Sequence, residues 1–511
     1  MPKLMRKRVP LPIIGLDVSQ PGEFLDSRST PDCENVCIER SVITKRLGTS
    51  AMGSAFSNGE RILALPELEV NDQGYLLRIG LTKVELYNKV AETWSSVANT
   101  ALTGVEDDRV DFAFPLLSGS KILTFTNFRD NIRKYTGSGN DADLGGTPPK
   151  CRYMIAYGSY LVLAHIESYP HRVQWSDTGA PETWTGGNTG VQDLLEDADE
   201  ITGIGVFGDF LTVHKRSAIY NGYLVPSSEI FRFDRKATGV GTCCFATIQN
   251  ITVTGEQIFL AADGFHLYNG TTAPAIPSSI NDEIRDSLNP SELHKCWSVL
   301  LHERDEYWCA VPLGDETEPN TIFKYNYRTG QCYKDTRTNI SAAGTFENTQ
   351  GYTWDQKTNT WDSDTTRWND LIYLSLNEVI CFGSTAGVTT KRAAVYNDNG
   401  SAVSAYWTSK DYTAQDFGFD DTGILMRWNE LQVWAKGSGM DSEYSTDGGT
   451  TWTAITTFTL SSDYPTDAAP LFGYFDVTST RIRFRFSNDT AGESFSLKQF
   501  KIKATAREEI R

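Results

Sequence analysis

TGEQIFLAADGFHLYNG, residues 254–270, is the stretch whose reading decides the fold. It reads as a turn, a strand ending in apolar residues, a second turn at Asp263 and Gly264, and a strand with Tyr268 near its end. Short apolar–polar alternation broken by Gly, Asn or Asp is the pattern of half-buried strands joined by tight turns. The unit recurs as GYLLRIGLTKVELYN (74–88), SGSKILTFTNFRDNIRKYTG (118–137), YGSYLVLAHIESYPHRVQWSD (157–177) and FGDFLTVHKRSAIYNG (207–222). It returns in ERDEYWCAVPL with NTIFKYNYRTGQCY (303–333) and in NEVICFGSTAGVTTKRAAVYN (377–397). Seven copies at about forty to fifty residues apiece predict a β-propeller, with six or eight blades also compatible with the irregular spacing.

Outward from the repeats the texture changes twice. Residues 1–60 hold few long strands and read as an extended N-terminal arm that closes with the strand–turn–strand ENVCIERSVITKRLGTS. Because a propeller closes on itself, strands before Gly48 are candidates to complete the last blade and hide its edge. Residues 61–400 are the propeller, with a short helical insertion near 281–297. Asn281 and Asn289 are the candidate N-caps there, and Pro290 would occupy the first position of a second helix. Residues 401–511 alternate strictly: in RIRFRFSN, Ile482, Phe484 and Phe486 face one way and Arg481, Arg483 and Arg485 the other, which predicts a β-sandwich. The fold class is all-β: arm, propeller of six to eight blades, C-terminal β-sandwich.

Composition narrows the function. A chain of 511 residues with 12% aromatics and 42 glycines suits strands and turns. The net charge of −18 argues against gripping nucleic acid through its phosphates. The basic start (Lys3, Arg6, Lys7, Arg8) is interrupted by Pro10 and Pro12 and does not read as a secretory signal; it is expected to be extended and to seek an acidic surface. No apolar run approaches spanning length, so no membrane-spanning segment is expected. Nine scattered cysteines do not make a disulfide framework, and reduced, mostly buried thiols are expected.

The motif most suggestive of chemistry is STDGGTTW, where Ser445, Asp447, Gly449, Thr451 and Trp452 match the Asp-box of sialidases and related propeller glycosidases. Its physics is that of a turn: Asp447 can accept backbone amide hydrogen bonds, and Gly448 and Gly449 supply unusual backbone angles. A second box is absent, since Ser176 and Asp177 are adjacent in WSDTGAPETW, and no carboxylate pair of the kind a retaining glycosidase needs is identifiable. The acidic stretches around Glu196, Asp197, Asp199 and Glu200, and at Asp416, Asp420 and Asp421, lack a calcium-loop pattern and read as solvated loops. The chain is read as a non-enzyme without metal or cofactor, the alternative being a sialidase-like propeller glycosidase or a glycan-binding receptor protein.

Several segments resemble, in order, those of head-to-tail proteins of tailed bacteriophages: ENVCIERSVITKRLGT, VQWSDTGAPETW, ITGIGVFGDFLTVHKRSAIY, FLAADGFHLYNG with IPSSINDEI, and IFKYNYRTGQCY. The C-terminal EYSTDGGTTW and RIRFRFSN are similar too. The family is that of tail hub or nozzle proteins, also called DNA-stabilisation proteins. The resemblance implies a virion structural protein assembled in the host cytoplasm, a homo-oligomeric ring, expected to be a hexamer, below the portal and adaptor. Its partners would be portal and adaptor proteins and tail fibre or needle proteins, with DNA passing through without specific binding. In such a conduit the lining should be acidic or neutral, because a basic wall would hold the polyanion; Glu196, Asp197, Asp199 and Glu200 are the candidate lining residues, with DFGFDD (416–421) as a further contributor.

Overall fold

Residues 254–270 form two of the three strands of one antiparallel sheet, Glu256–Ala261 and Gly264–Tyr268, behind an inner strand Gln249–Ile251. Gly264 is obligatory: its φ is +127°, and a Cβ there would lie 2.5 Å from the Asn281 side chain. The computed structural model describes residues 4–9, 15–39, 42–71, 73–225, 229–276, 280–347, 378–420 and 422–506.

Seven such sheets follow one another, and each quoted repeat supplies middle or outer strands of one. Their inner strands are Ile62–Ala64, Asp111–Ala113, Cys151–Tyr157, Ile201–Phe207, Gln249–Ile251, Trp297–Leu301 and Ile340–Glu347, which number blades 1 to 7. Middle strands are apolar on both faces, as Tyr160–Ile166 shows, because blades pack face to face. The apolar clusters follow this stacking. Leu77 and Phe125 meet between blades 1 and 2, and Met154 with Ala113 between 2 and 3. Val162 with Val213 joins blades 3 and 4, and Ile219 with Phe259 joins 4 and 5. Leu260 with Tyr307 joins 5 and 6, Trp308 with Phe382 joins 6 and 7, and Leu76 with Phe346 joins 7 back to 1. Among the described residues the ring closes with seven blades.

Closure uses the start of the chain. Thr49–Ala51 pairs antiparallel with Thr389–Arg392 as the next strand of blade 7. The closing strand thus lies just after Gly48, not before it. Gly48 permits the approach: its N–H donates to Val395 O at 2.6 Å, and a Cβ would stand 1.8 Å from Asn397 O. Gly15–Leu16 adds to blade 6 alongside Cys332 and carries Ser29–Thr30 beside it.

The sandwich is built from both ends of the sequence. One sheet holds Met426–Gly437, Leu471–Ser479 and Phe495–Ala506, extended by Leu4–Val9, Val42–Lys45 and Val36–Glu39. The other holds Ala405–Thr408, Gly439–Ser445, Thr453–Thr459 and Arg481–Asn488, extended by Cys33–Glu34. Residues 1–60 therefore do not stand apart as an arm; their described strands are shared between two blades and both sandwich sheets. The basic start is a strand, pairing Arg6 with Lys503 in register, and Lys7 reaches Asp416 at 3.0 Å. Ile482, Phe484 and Phe486 are buried in the sandwich core while Arg483 forks onto Asp411 at 2.9 and 2.8 Å. That core is continuous with blades 5 and 6.

The helical insertion is smaller than the sequence suggests. One helix, Ile280–Ser287, is followed only by a 3-10 turn at Leu293–Lys295. Asn281 lies inside the helix, not at its cap, because its side chain accepts from Phe265 N at 2.8 Å and donates to Ile276 O at 3.2 Å. Asn289 accepts from Ser291 N at 3.1 Å, a local turn that does not propagate.

Candidate functional site

The inner strands of all seven blades converge on the propeller axis, where Leu63, Asp111, Ile155, Ile204, Gln249, Ser298 and Ala343 enclose a cavity of about 240 Å³. The shaft is narrow, and most side chains in its wall are apolar although backbone polar atoms also face it. Asp111 is the ionisable side chain in its wall. Its two oxygens accept from Phe112 N at 2.9 Å and Met154 N at 2.8 Å, and burial pushes its carboxyl up to about 7 against these bonds.

Above the shaft, on the face where inner strands begin, loops from several blades form a funnel of about 480 Å³. Arg109, Arg152, Tyr153, Phe128, Cys244 and His294 are in its wall. The Arg109 side chain is held by carbonyls, Nε donating to His294 O at 3.2 Å and Nη1 to Asp108 O at 2.7 Å. Arg152 lies 4.7 Å over the Phe128 ring. His294 is biased to its neutral form by burial and by Arg109. Cys244 donates to Cys296 O at 3.2 Å, and burial raises its thiol to about 11, so it is not a ready nucleophile. The nine thiols are free, and all but Cys243 are buried. Sequence reasoning did not find this funnel: its residues come from loops whose meeting depends on ring closure, and no local spacing marks them.

The acidic loop singled out in the sequence lies on the blade 3 to blade 4 connection and is largely occupied within its own blade. Asp197 takes hydrogen bonds from Tyr220 and, at 2.7 Å, from Arg235, and Asp199 accepts from Ser217. The loop's carbonyls at Leu194 and Asp197 receive the buried Lys215 ammonium at 2.6 and 2.9 Å. Glu196 and Glu200 are exposed, Glu196 standing 3.6 Å from Arg235. The run of charge thus surrounds a buried lysine and a partly exposed arginine.

The Asp-box lies in a sandwich sheet and not in a blade, in the hairpin between Gly439–Ser445 and Thr453–Thr459. Asp447 Oδ1 accepts from Thr450 N at 3.0 Å, Thr451 N at 2.9 Å and Ser445 Oγ at 2.7 Å, and Oδ2 accepts from Thr451 Oγ1 at 2.7 Å. Gly448 and Gly449 take φ of +77° and +97°. Trp452 is stacked under Arg485 at 4.4 Å. These bonds hold the Asp447 carboxyl well below the usual range, chiefly through the Thr451 hydroxyl and amide. Asp447→Ala is expected to lower the melting midpoint at pH 7 and leave the circular dichroism spectrum unchanged. A depressed carboxyl stabilises above its unfolded pKa and ceases to as pH falls through the folded one, so the difference from wild type should shrink below pH 3.8. Equal midpoints at pH 7 would contradict the turn-tying role.

Among the described residues, no three His, Cys, Asp or Glu side chains cluster in a way that could hold a metal ion. No helix among them is long and apolar enough to cross a membrane. No family model matches the sequence, and no curated protein is similar to it. Among solved structures, an extracellular domain from B. thetaiotaomicron (BT4673) is similar at 11% identity over 76% of this chain and 43% of that one, with a TM-score of 0.42. PorZ, a surface component of the type-IX secretion system of Porphyromonas gingivalis, is 12% identical over 80% of this chain and 46% of its own, with a TM-score of 0.37. BamB from Moraxella catarrhalis is 10% identical over 67% of this chain and 97% of its own, with a TM-score of 0.33. The chain spans less than half the length of the first two.

Proposed function

We propose that this protein is a structural subunit of a bacteriophage tail, a nozzle or hub that forms a ring below the portal and adaptor, retains packaged DNA and conducts it during ejection. The identity rests on the ordered sequence resemblance. The observation that carries a structural rather than a catalytic role is the stitching of propeller to sandwich. Strands from residues 4–51 enter two blades and both sandwich sheets, so the two parts share one core and resist hinging. The propeller axis, at about 240 Å³, is no path for a duplex, so the conduit in this reading lies between copies in the ring.

The reading is tested in particles. Virions purified from the source phage should contain the chain at a fixed ratio to the portal protein, and purified chain should form rings, six-membered by expectation, in native mass spectrometry. Its absence from purified virions would overturn the proposal. The lining proposal narrows to Glu196 and Glu200, because Asp197 and Asp199 are engaged within the blade. Glu196→Lys with Glu200→Lys should slow genome ejection from particles that still assemble, through added phosphate contacts; unchanged speed and salt dependence would remove these residues from the path. The funnel favours a second reading, a glycan-binding or glycan-cleaving propeller. Hydrolysis of sialosides or bacterial polysaccharides, lost on a single Asp or Glu substitution, would establish that reading in place of the first.

A further inference from the structure

The funnel carries a charge pattern that the rest of the molecule does not need. Two guanidinium groups line it, and among the described residues neither has a carboxylate within ion-pairing distance. Arg109 spends Nε and Nη1 on carbonyls and leaves Nη2 without an acceptor among the described residues. Arg152 is exposed, steadied by the Phe128 face at 4.7 Å, and among the described residues it donates to no protein group. The carboxylates of the same wall are largely committed elsewhere. Asp108 pairs with Arg129 and accepts from Val105 N at 2.7 Å, and Glu292 pairs with Lys295 at 2.9 Å. Asp107 is 76% exposed, standing 4.0 Å from the His294 ring and favouring the charged form of Arg109 only from beyond ion-pairing distance. The Tyr153 ring between Phe245 and His165 completes the wall, and its hydroxyl has no protein partner among the described residues.

Cations are seldom left unpaired where water is partly excluded, because desolvation is not then repaid. Here partly buried Arg109 is such a cation, with the exposed Arg152 in the same concavity, on a protein with 65 acidic and 47 basic residues. We propose that the funnel is a binding site for a small oxyanion, a phosphate or carboxylate group, gripped by Arg109 Nη2 and the Arg152 guanidinium and met by the Tyr153 hydroxyl. Arginine's planar fork suits both oxyanions. Burial and the nearby Arg61 already disfavour the charged form of Arg109, an unfavourable balance that a bound anion relieves. The site does not depend on the ring proposal and is compatible with either functional reading.

Isothermal titration of the full chain with inorganic phosphate and, separately, with acetate at constant ionic strength tests it. Saturable binding of one stoichiometric anion is expected. Binding of phosphate alone identifies a phosphate-bearing ligand, and binding of acetate alone a carboxylate. Arg152→Gln, at an exposed position, should fold normally by circular dichroism and weaken binding about tenfold or more, the scale of one charge-assisted contact. Tyr153→Phe should weaken it by a smaller factor. Arg109→Lys is a poorer probe, since the Asp108 and His294 carbonyls depend on that side chain. Absence of saturable binding by both anions, or an affinity unchanged in folded Arg152→Gln, would overturn the proposal.

Discussion

Asp111→Asn should gain stability relative to the wild type by about 2–3 kcal/mol as pH is raised from 5 to 8, measured by urea unfolding at each pH. The wild-type carboxyl is raised from 3.8 to about 7 in the folded protein, because it faces a shaft enclosed by seven strands. A carboxyl raised in this way favours the folded state fully only below its unfolded pKa. That contribution drains away as pH climbs towards 7, after which the charge is buried at full cost. Asparagine has no proton to lose, so its stability should lack this slope. Water in the cavity would screen part of the penalty, which places the expected difference at the lower end of what the shift alone implies. Parallel stability curves for the two proteins between pH 5 and 8 would show that Asp111 titrates normally and that the shaft is wet enough to solvate it.

Asp335→Ala should be the most damaging single substitution in blade 6, costing about 3–5 kcal/mol. Asp335 and Lys324 form an ion pair in which neither side chain is more than 1% exposed. Arg46, from the N-terminal strands, adds its Nε at 3.5 Å, and the Lys324 ammonium lies 4.0 Å over the Trp308 ring. Removing the carboxylate leaves an ammonium buried between aromatic faces and takes one of two carboxylate partners from Arg46, which keeps Asp398 at the other end of its fork. The penalty comes mostly from stranded charge rather than from the lost attraction. A double variant, Asp335→Ala with Lys324→Met, should therefore recover much of the loss. If the double variant were as unstable as the single one, packing rather than charge would be the cause.

The sequence is most informative where a physical rule acts over short range. Each propeller repeat shows its two middle strands through alternation and Gly, Asn or Asp turns, and the 481–488 strand shows its buried face through Ile482, Phe484 and Phe486. The Asp-box turn is likewise local, with every partner of Asp447 between Ser445 and Thr451. What the sequence conceals is set at long range. Nothing near Leu4–Val9 says that it pairs with residues 500–505, and nothing near Arg46 announces Asp335 and Asp398. Asn281 misled for the same reason: its local context is that of a cap, yet its amide is taken by a strand sixteen residues back. The funnel is the extreme case, since Arg109, Arg152 and His294 share a wall only after the ring has closed.

The closure at Thr49–Ala51 also has a bearing on how the chain is made. A ribosome emits those residues early, but their partner strand Thr389–Arg392 appears about 340 residues later. Leu4–Val9 waits longer still, for residues 500–505. Blades 1 to 6 can stack on their predecessors as they emerge, while Leu4–Val9 and Thr49–Ala51 stay without their partner strands throughout. At about 5–20 residues per second that interval is tens of seconds, long enough for a chaperone to hold them or for another nascent copy to capture them. A final step that joins the two ends of the sequence is a slow one, dominated by contacts of the greatest separation the chain allows. Newly completed protein should accordingly pass through a protease-sensitive stage in which cleavage falls within the first fifty residues and ceases once the last strands have docked.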